Sequence, residues 1–216
     1  MSFQWIIDKA ETISINRKKI VGQTTARDGT TRAVSRGGQV TTFTVKLPDG
    51  ISWTELRPYI TAAENLDRVG TATINMSSSG LRWINQYLGA PATVPTDIRF
   101  RTVSGQPNQI ELYDRYFPPY ISITTGQKIL GAGDFVQLGT NGYVYNVVSD
   151  VTYTAGGAYP IVTLHRPLVS TSFSGSLRIA ENCSWNVICT SFPDWTLMAR
   201  DQVAWGGTFT FAENLV

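Results

Sequence analysis

"SRGGQVTTFTVKLPDGISW", residues 35–53, places a glycine pair, an alternating run and a second turn in succession. Phe43, Val45 and Leu47 share one face and Thr42, Thr44 and Lys46 the other, the period-two pattern of a half-buried strand. Gly37-Gly38 supplies two positions tolerant of positive φ between this run and the strand-like "TRAVS" (31–35), as a primed hairpin turn requires. A phosphate-binding loop would instead lead into a helix N-terminus, where backbone N–H groups and the dipole meet the anion. Here the glycines lead into a strand, so a hairpin over Arg32–Val40 is expected. Pro48-Asp49-Gly50 then turns the chain. Ser52 and Glu55 have capping-box spacing, with Ile51 and Leu56 placed as a hydrophobic staple. Pro58 fits a helix only near its start. The spacing therefore predicts a first turn at 53–56 and a helix over about 58–68, with Ile60, Ala63, Leu66 and Val69 inward.

Outward from this stretch the chain reads mostly as strands. Phe3, Trp5 and Ile7 alternate as a first strand, followed by 12–16 and 19–25 and an Asp-Gly turn at 28–29. "TATINM" (71–76) is a strand and "LRWINQYLG" (81–89) a second short helix ended by Gly89. Beyond the break at Pro91–Pro95, strands are expected at 97–103, 109–114, 134–139, 143–151, 159–168 and 176–180. Longer strands follow at 184–192, 195–205 and 207–215, and these are placed to rejoin the N-terminal sheet. Short strands at close spacing with glycine turns indicate a barrel or sandwich. The fold class is thus mainly β (β-rich α+β): a β-sandwich or sheet with one or two short helices, plus a small inserted OB- or SH3-like β-barrel. Residues 1–118 with 183–216 form the expected main β domain, and 119–182 the barrel.

The 216 residues suffice for one large or two small domains. Charged residues are 16% of the chain, against about 25% in an average protein, which suits a surface that is partly covered by something else. The net charge of +2 is too small to indicate nucleic acid or a membrane surface. Arg17-Lys18-Lys19, the one basic cluster, reads as a solvated turn. No run approaches the roughly 20 apolar residues of a membrane span, and "MSFQWIIDKAETISI" lacks the features of a secretory signal. Cys183 and Cys189, six residues apart on a strand, are too distant for a disulfide and are expected as free thiols in a reducing cytoplasm.

Motifs that carry chemistry are weak. His165 is the single histidine, without the partners that a triad or metal site needs. "SFSGS" (172–176) is not a nucleophile elbow, and Gly131-x-Gly133 precedes a strand, as a turn does. Glu111, Asp114, Asp134, Asp150 and Glu181 offer carboxylates, but only their spatial pairing would mean catalysis. No enzyme activity, cofactor or metal is expected. Of the tryptophans, Trp185 alternates with Val187 and Cys189 and should pack inward, and Trp205 should cover the Gly206-Gly207 bend. Tyr113, Tyr116, Phe117 and Tyr120, beside Pro118-Pro119, are the loop aromatics most suited to a glycan. A carbohydrate-binding β module is therefore the alternative to a structural role.

Three segments, 35–68, 133–169 with its Asn-Gly turn, Tyr-x-Val strand and His-Arg-Pro-Leu, and "ARDQVAWGGTFTFAENLV" (199–216), together resemble tail and baseplate proteins of tailed bacteriophages. The type is that of a distal tail hub or tube initiator. The resemblance implies a virion protein assembled in the host cytoplasm, a homo-oligomeric and preferentially hexameric ring joining the tail tube to the host-facing tip. Its partners would be itself and the tube, hub or fibre-attachment subunits, with neither membrane insertion nor sequence-specific nucleic-acid binding. The expected subunit interface is Arg32, Arg36, Gly37, Gly38 and Gln39 of the hairpin, flanked by Trp53 and Arg57. The 130–169 barrel would project as a docking platform.

Overall fold

The computed structural model describes residues 3–17, 21–35, 39–66, 69–77, 79–89, 98–113, 125–139, 143–154, 159–169 and 174–214. The chain forms two compact units, 1–73 with 187–216 and 74–186. The first contains α1 (Gln4–Asp8), β1 (Thr12–Asn16), β2 (Val21–Thr25), β3 (Thr31–Ser35), β4 (Thr42–Lys46), β5 (Ile51–Ser52) and α2 (Trp53–Glu64). The chain leaves it along β6 (Thr71–Asn75) and passes a 3-10 helix (Ser79–Asn85). Then come β7 (Arg99–Thr102), β8 (Gln109–Tyr113), β9 (Lys128–Leu130), β10 (Phe135–Leu138), β11 (Val144–Asn146), β12 (Val151–Thr152), β13 (Ile161–Thr163) and β14 (Ser174–Ile179). It returns along β15 (Ser184–Ser191) to β16 (Trp195–Met198), β17 (Gln202–Trp205) and β18 (Phe209–Glu213).

The protein is mainly β, with several antiparallel sheets and a curled, half-barrel-like sheet. In the first unit a five-stranded sheet has the order β1-β4-β18-β15-β6, so the C-terminal strands do rejoin the N-terminal ones. A three-stranded sheet, β16-β17-β5, leads into α2. Phe43 and Val45 of β4 lie opposite Phe211 and Phe209 of β18, and all four are fully buried. Alternation places them on one face, and Leu56, Ile60 and Ala63 of α2 are buried in the same unit. In the second unit the six-stranded sheet has the order β11-β10-β14-β7-β8-β13, beside the two-stranded β12-β9. Its core includes Phe100, Ile110, Leu112, Val136, Val162 and Ile179.

Several expectations are corrected. Residues 3–7 are not a strand: Phe3, Ile6 and Ile7 are buried together at helical spacing, and Gln4–Asp8 is a helix. α2 begins at Trp53 and runs unbroken through Pro58, which costs one backbone hydrogen bond. It ends at Glu64, so Val69 is 86% exposed and Leu66 only half-buried. The expected helix at 81–89 is a 3-10 helix that stops at Asn85, where the side-chain amide donates to Ala180 O at 3.0 Å. Residues 195–205 are a hairpin rather than one strand, because Arg200 and Asp201 take φ of 70° and 60° between β16 and β17. Strands at 99–102 and 109–113, expected in the main domain, lie in the sheet of the second unit, where β7 pairs with β14 and β8 with β13. Residues 143–151 split between β11 and β12, which pair in different sheets.

Three of the described glycines, Gly70, Gly89 and Gly131, have an atom closer than 3.0 Å to where a Cβ would lie. A Cβ on Gly131 would lie 2.6 Å from Leu88 Cβ and 3.1 Å from Leu88 O, and one on Gly89 would lie 2.6 Å from Ile129 O. The Gly131-x-Gly133 element is a turn before β10, as its sequence suggests. Gly131→Ala is expected to destabilise the protein by about 2 kcal/mol, measured by urea unfolding. Gly80→Ala, whose Cβ meets nothing within 4 Å, should be neutral within error.

Candidate functional site

β2 and β3 form a two-stranded ribbon in register from Val21↔Ser35 to Thr25↔Thr31. Its turn is closed by Ala26 N donating to Thr30 O at 2.8 Å and Thr30 N donating to Asp28 Oδ1 at 2.9 Å. Gly29 takes φ 84° there, the role expected of the Asp-Gly pair. Every residue from Gln23 to Thr31 is exposed, and the ribbon pairs with no other strand among the described residues. Its strands carry the polar residues Gln23, Thr24, Thr25 and Thr31 and one charged residue, Arg32, with no proline.

The ribbon replaces the hairpin expected across Gly37-Gly38. Both edges of β4 are occupied, by β1 and β18, and β3 pairs with β2, so β3 and β4 do not form that hairpin. Arg36, Gly37 and Gly38 lie outside the described residues. Arg32 stands opposite Thr24 in the ribbon. Gln39 is not at a tip: its amide donates to the Arg17 carbonyl, joining the segments that enter and leave the ribbon. Trp53 and Arg57 are one turn apart on α2, with Arg57 exposed. Trp53 stacks on Trp195, ring centroids 4.9 Å apart and planes at 25°, and Trp195 Nε1 donates to Glu64 at 3.2 Å.

The start of α2 is held by a residue with no local signal. Ser52 Oγ accepts from Glu55 N at 3.3 Å, half of the expected capping box, while Glu55 pairs with Lys9 at 2.6 Å instead of reaching back. Asp201 completes the cap. It accepts from Ser52 Oγ at 2.6 Å and from Thr54 N and Oγ1, both at 3.1 Å. The Ser52 bond, then those from Thr54, hold its carboxyl below the usual aspartate range. The folded protein therefore keeps Asp201 ionised where an unfolded chain would protonate it. Its stabilisation is complete above about pH 4 and is lost as the pH falls through the lowered folded value. Asp201→Ala is expected to reduce the melting temperature at neutral pH and to weaken its dependence on pH in the acid limb, measured by circular dichroism.

The remaining candidates that the structure describes make contacts within the fold. His165 Nδ1 accepts from Asn146 N at 2.9 Å. Arg166, 3% exposed, donates to Val144 O at 2.9 Å and lies 4.9 Å from the Tyr145 ring centre. Asp134 is buried and accepts from Leu88 N and Gly131 N, both at 2.8 Å; desolvation raises its pKa. Glu111 pairs with Arg101, Glu181 with Arg82 and Asp150 with Lys128, and Asp114 lies outside the described residues. No group of three or more His, Cys, Asp or Glu side chains converges among the described residues. Cys183 and Cys189 are buried free thiols, and burial pushes the Cys183 pKa up. Trp185 is 1% exposed and meets Phe135 edge-on, and Trp205 packs on Phe209. Of the expected glycan aromatics, only Tyr113 is described. Its ring and that of Tyr159 lie 5.7 and 5.5 Å from the Arg101 guanidinium. Tyr116, Phe117 and Tyr120 fall outside.

No protein-family model matches the chain, and no curated protein matches it.

Proposed function

We propose that the protein is a structural subunit of a phage tail that closes into a ring, preferentially six-fold, at the distal tail or baseplate. The observation that carries this reading is the exposed β2–β3 ribbon. A two-stranded hairpin standing alone in water is marginally stable at best. This one has an apposed polar register, an ordered Asp-Gly turn and edges that pair with no other described strand. Pairing with a neighbouring copy would satisfy its free N–H and C=O groups, and ring closure would leave no ribbon edge exposed. The likeness of residues 35–68, 133–169 and 199–216 to tail and baseplate proteins gives the same direction, as does the low charged fraction. The role is assembly rather than turnover.

Light scattering over a dilution series, with negative-stain images, tests the reading. A closed ring is the expected result. A protein that stays monomeric both alone and when mixed with the tail-tube subunit from its own phage would overturn it.

A further inference from the structure

A cleft of about 360 Å³ lies between α1 and α2 in the first unit. Trp5 and Leu56, both buried, line it together with Tyr59, which is 42% exposed. The Trp5 and Tyr59 ring centroids are 6.1 Å apart. Two polar pairs complete the lining. Lys9 Nζ bonds Glu55 Oε1 at 2.6 Å, and Gln4 Nε2 donates to Asp8 Oδ1 at 2.9 Å. Trp5 is 8% exposed, and its indole N–H has no acceptor among the described residues. That nitrogen is shut off from solvent, so Trp5 offers the cleft its ring rather than a hydrogen bond.

We propose that this cleft binds a neutral sugar ring of a glycan. Its volume falls within the roughly 300–1,000 Å³ of small-ligand sites. Hydroxyl groups both donate and accept, which matches a lining that offers an ammonium, an amide and two carboxylates side by side. Those groups already hold one another in place, so little rotamer freedom is lost on binding. Tyr59 presents an apolar ring to the C–H face of a sugar. A cationic occupant would meet Lys9 and an anionic one Asp8 and Glu55, so a neutral polyol fits best. The site is distinct from the Tyr113–Tyr120 platform that the sequence suggests, and it does not depend on ring formation.

Saturation-transfer NMR on the full chain tests it, with glucose, galactose, N-acetylglucosamine and their β-linked disaccharides as probes and ethylamine as a cationic control. Transfer to at least one saccharide is expected. Affinity should fall about tenfold or more in Tyr59→Ala and in Asp8→Asn, and be kept in Tyr59→Phe and in Tyr159→Ala, which removes an aromatic of the second unit. Circular dichroism confirms that each variant is folded. Absence of transfer to every saccharide would overturn the proposal. So would transfer to ethylamine alone, or a saccharide signal that survives Tyr59→Ala or is lost in Tyr159→Ala.

Discussion

Excision of residues 23–33, with the ends rejoined by Gly-Ser, is expected to abolish the proposed ring assembly and leave folded monomers. The excised residues pair only with one another among the described strands, and Gln23–Thr31 are exposed. Loss of Gln23–Thr31 removes no buried apolar side chain, so the melting temperature of the monomer should change by no more than a few degrees. Assembly should fail because the edges that would pair between copies are gone. Thr24→Pro is the milder test: it removes one N–H from the ribbon and places a ring in the ladder. Sedimentation velocity reads both variants. A ring that persists after excision would show that the ribbon is not what joins the subunits.

Phe209→Ala is expected to cost the first unit about 4 kcal/mol. Phe209 is fully buried on β18, opposite Val45 of β4. Its ring meets Phe192 at 4.9 Å, Trp205 at 5.0 Å and Trp5 at 6.1 Å, each edge-on, and lies parallel to Phe211 at 6.4 Å. Truncation would leave a cavity walled by rigid rings that relax poorly, which places the cost toward the upper part of the large-to-small range. Urea unfolding followed by tryptophan fluorescence should show the loss, since Trp5 and Trp205 flank the site. The same substitution at exposed Tyr159 should cost far less.

Local chemistry explains what was legible beforehand. Strict alternation placed β4 with Phe43 and Val45 on its inner face, and Trp185 on the inner face of β15, because a half-buried strand writes its period into the sequence. Asp28-Gly29 marked the turn of the ribbon through the positive φ that its glycine tolerates. Ser52 marked the start of α2. The failures have equally specific causes. Phe3, Trp5, Ile6 and Ile7 satisfy both periods over five residues, and the packing of Phe3 on Phe211 at 5.1 Å accompanies the helical one. Arg200-Asp201 carries no glycine, yet it bends the chain because Asp201 bonds Ser52 and Thr54, about 150 residues earlier.

The candidate interface divides along the same line. Arg32 and Gln39 could be singled out by composition, but strand partners depend on which edges remain free once the sheet has formed. β4 is enclosed by β1 and β18, so the hairpin that Gly37-Gly38 suggested gives way to the β2–β3 ribbon. By itself the sequence determined the mainly β class, the polar character of the ribbon and the turn that closes it, because those follow from side-chain period and backbone freedom within a few residues. Only the tertiary structure decided that the ribbon stands exposed, that Asp201 caps α2 and that Trp5 meets Tyr59 at a cleft. Each of these depends on groups distant in the chain, whose meeting is set by the packing of whole elements.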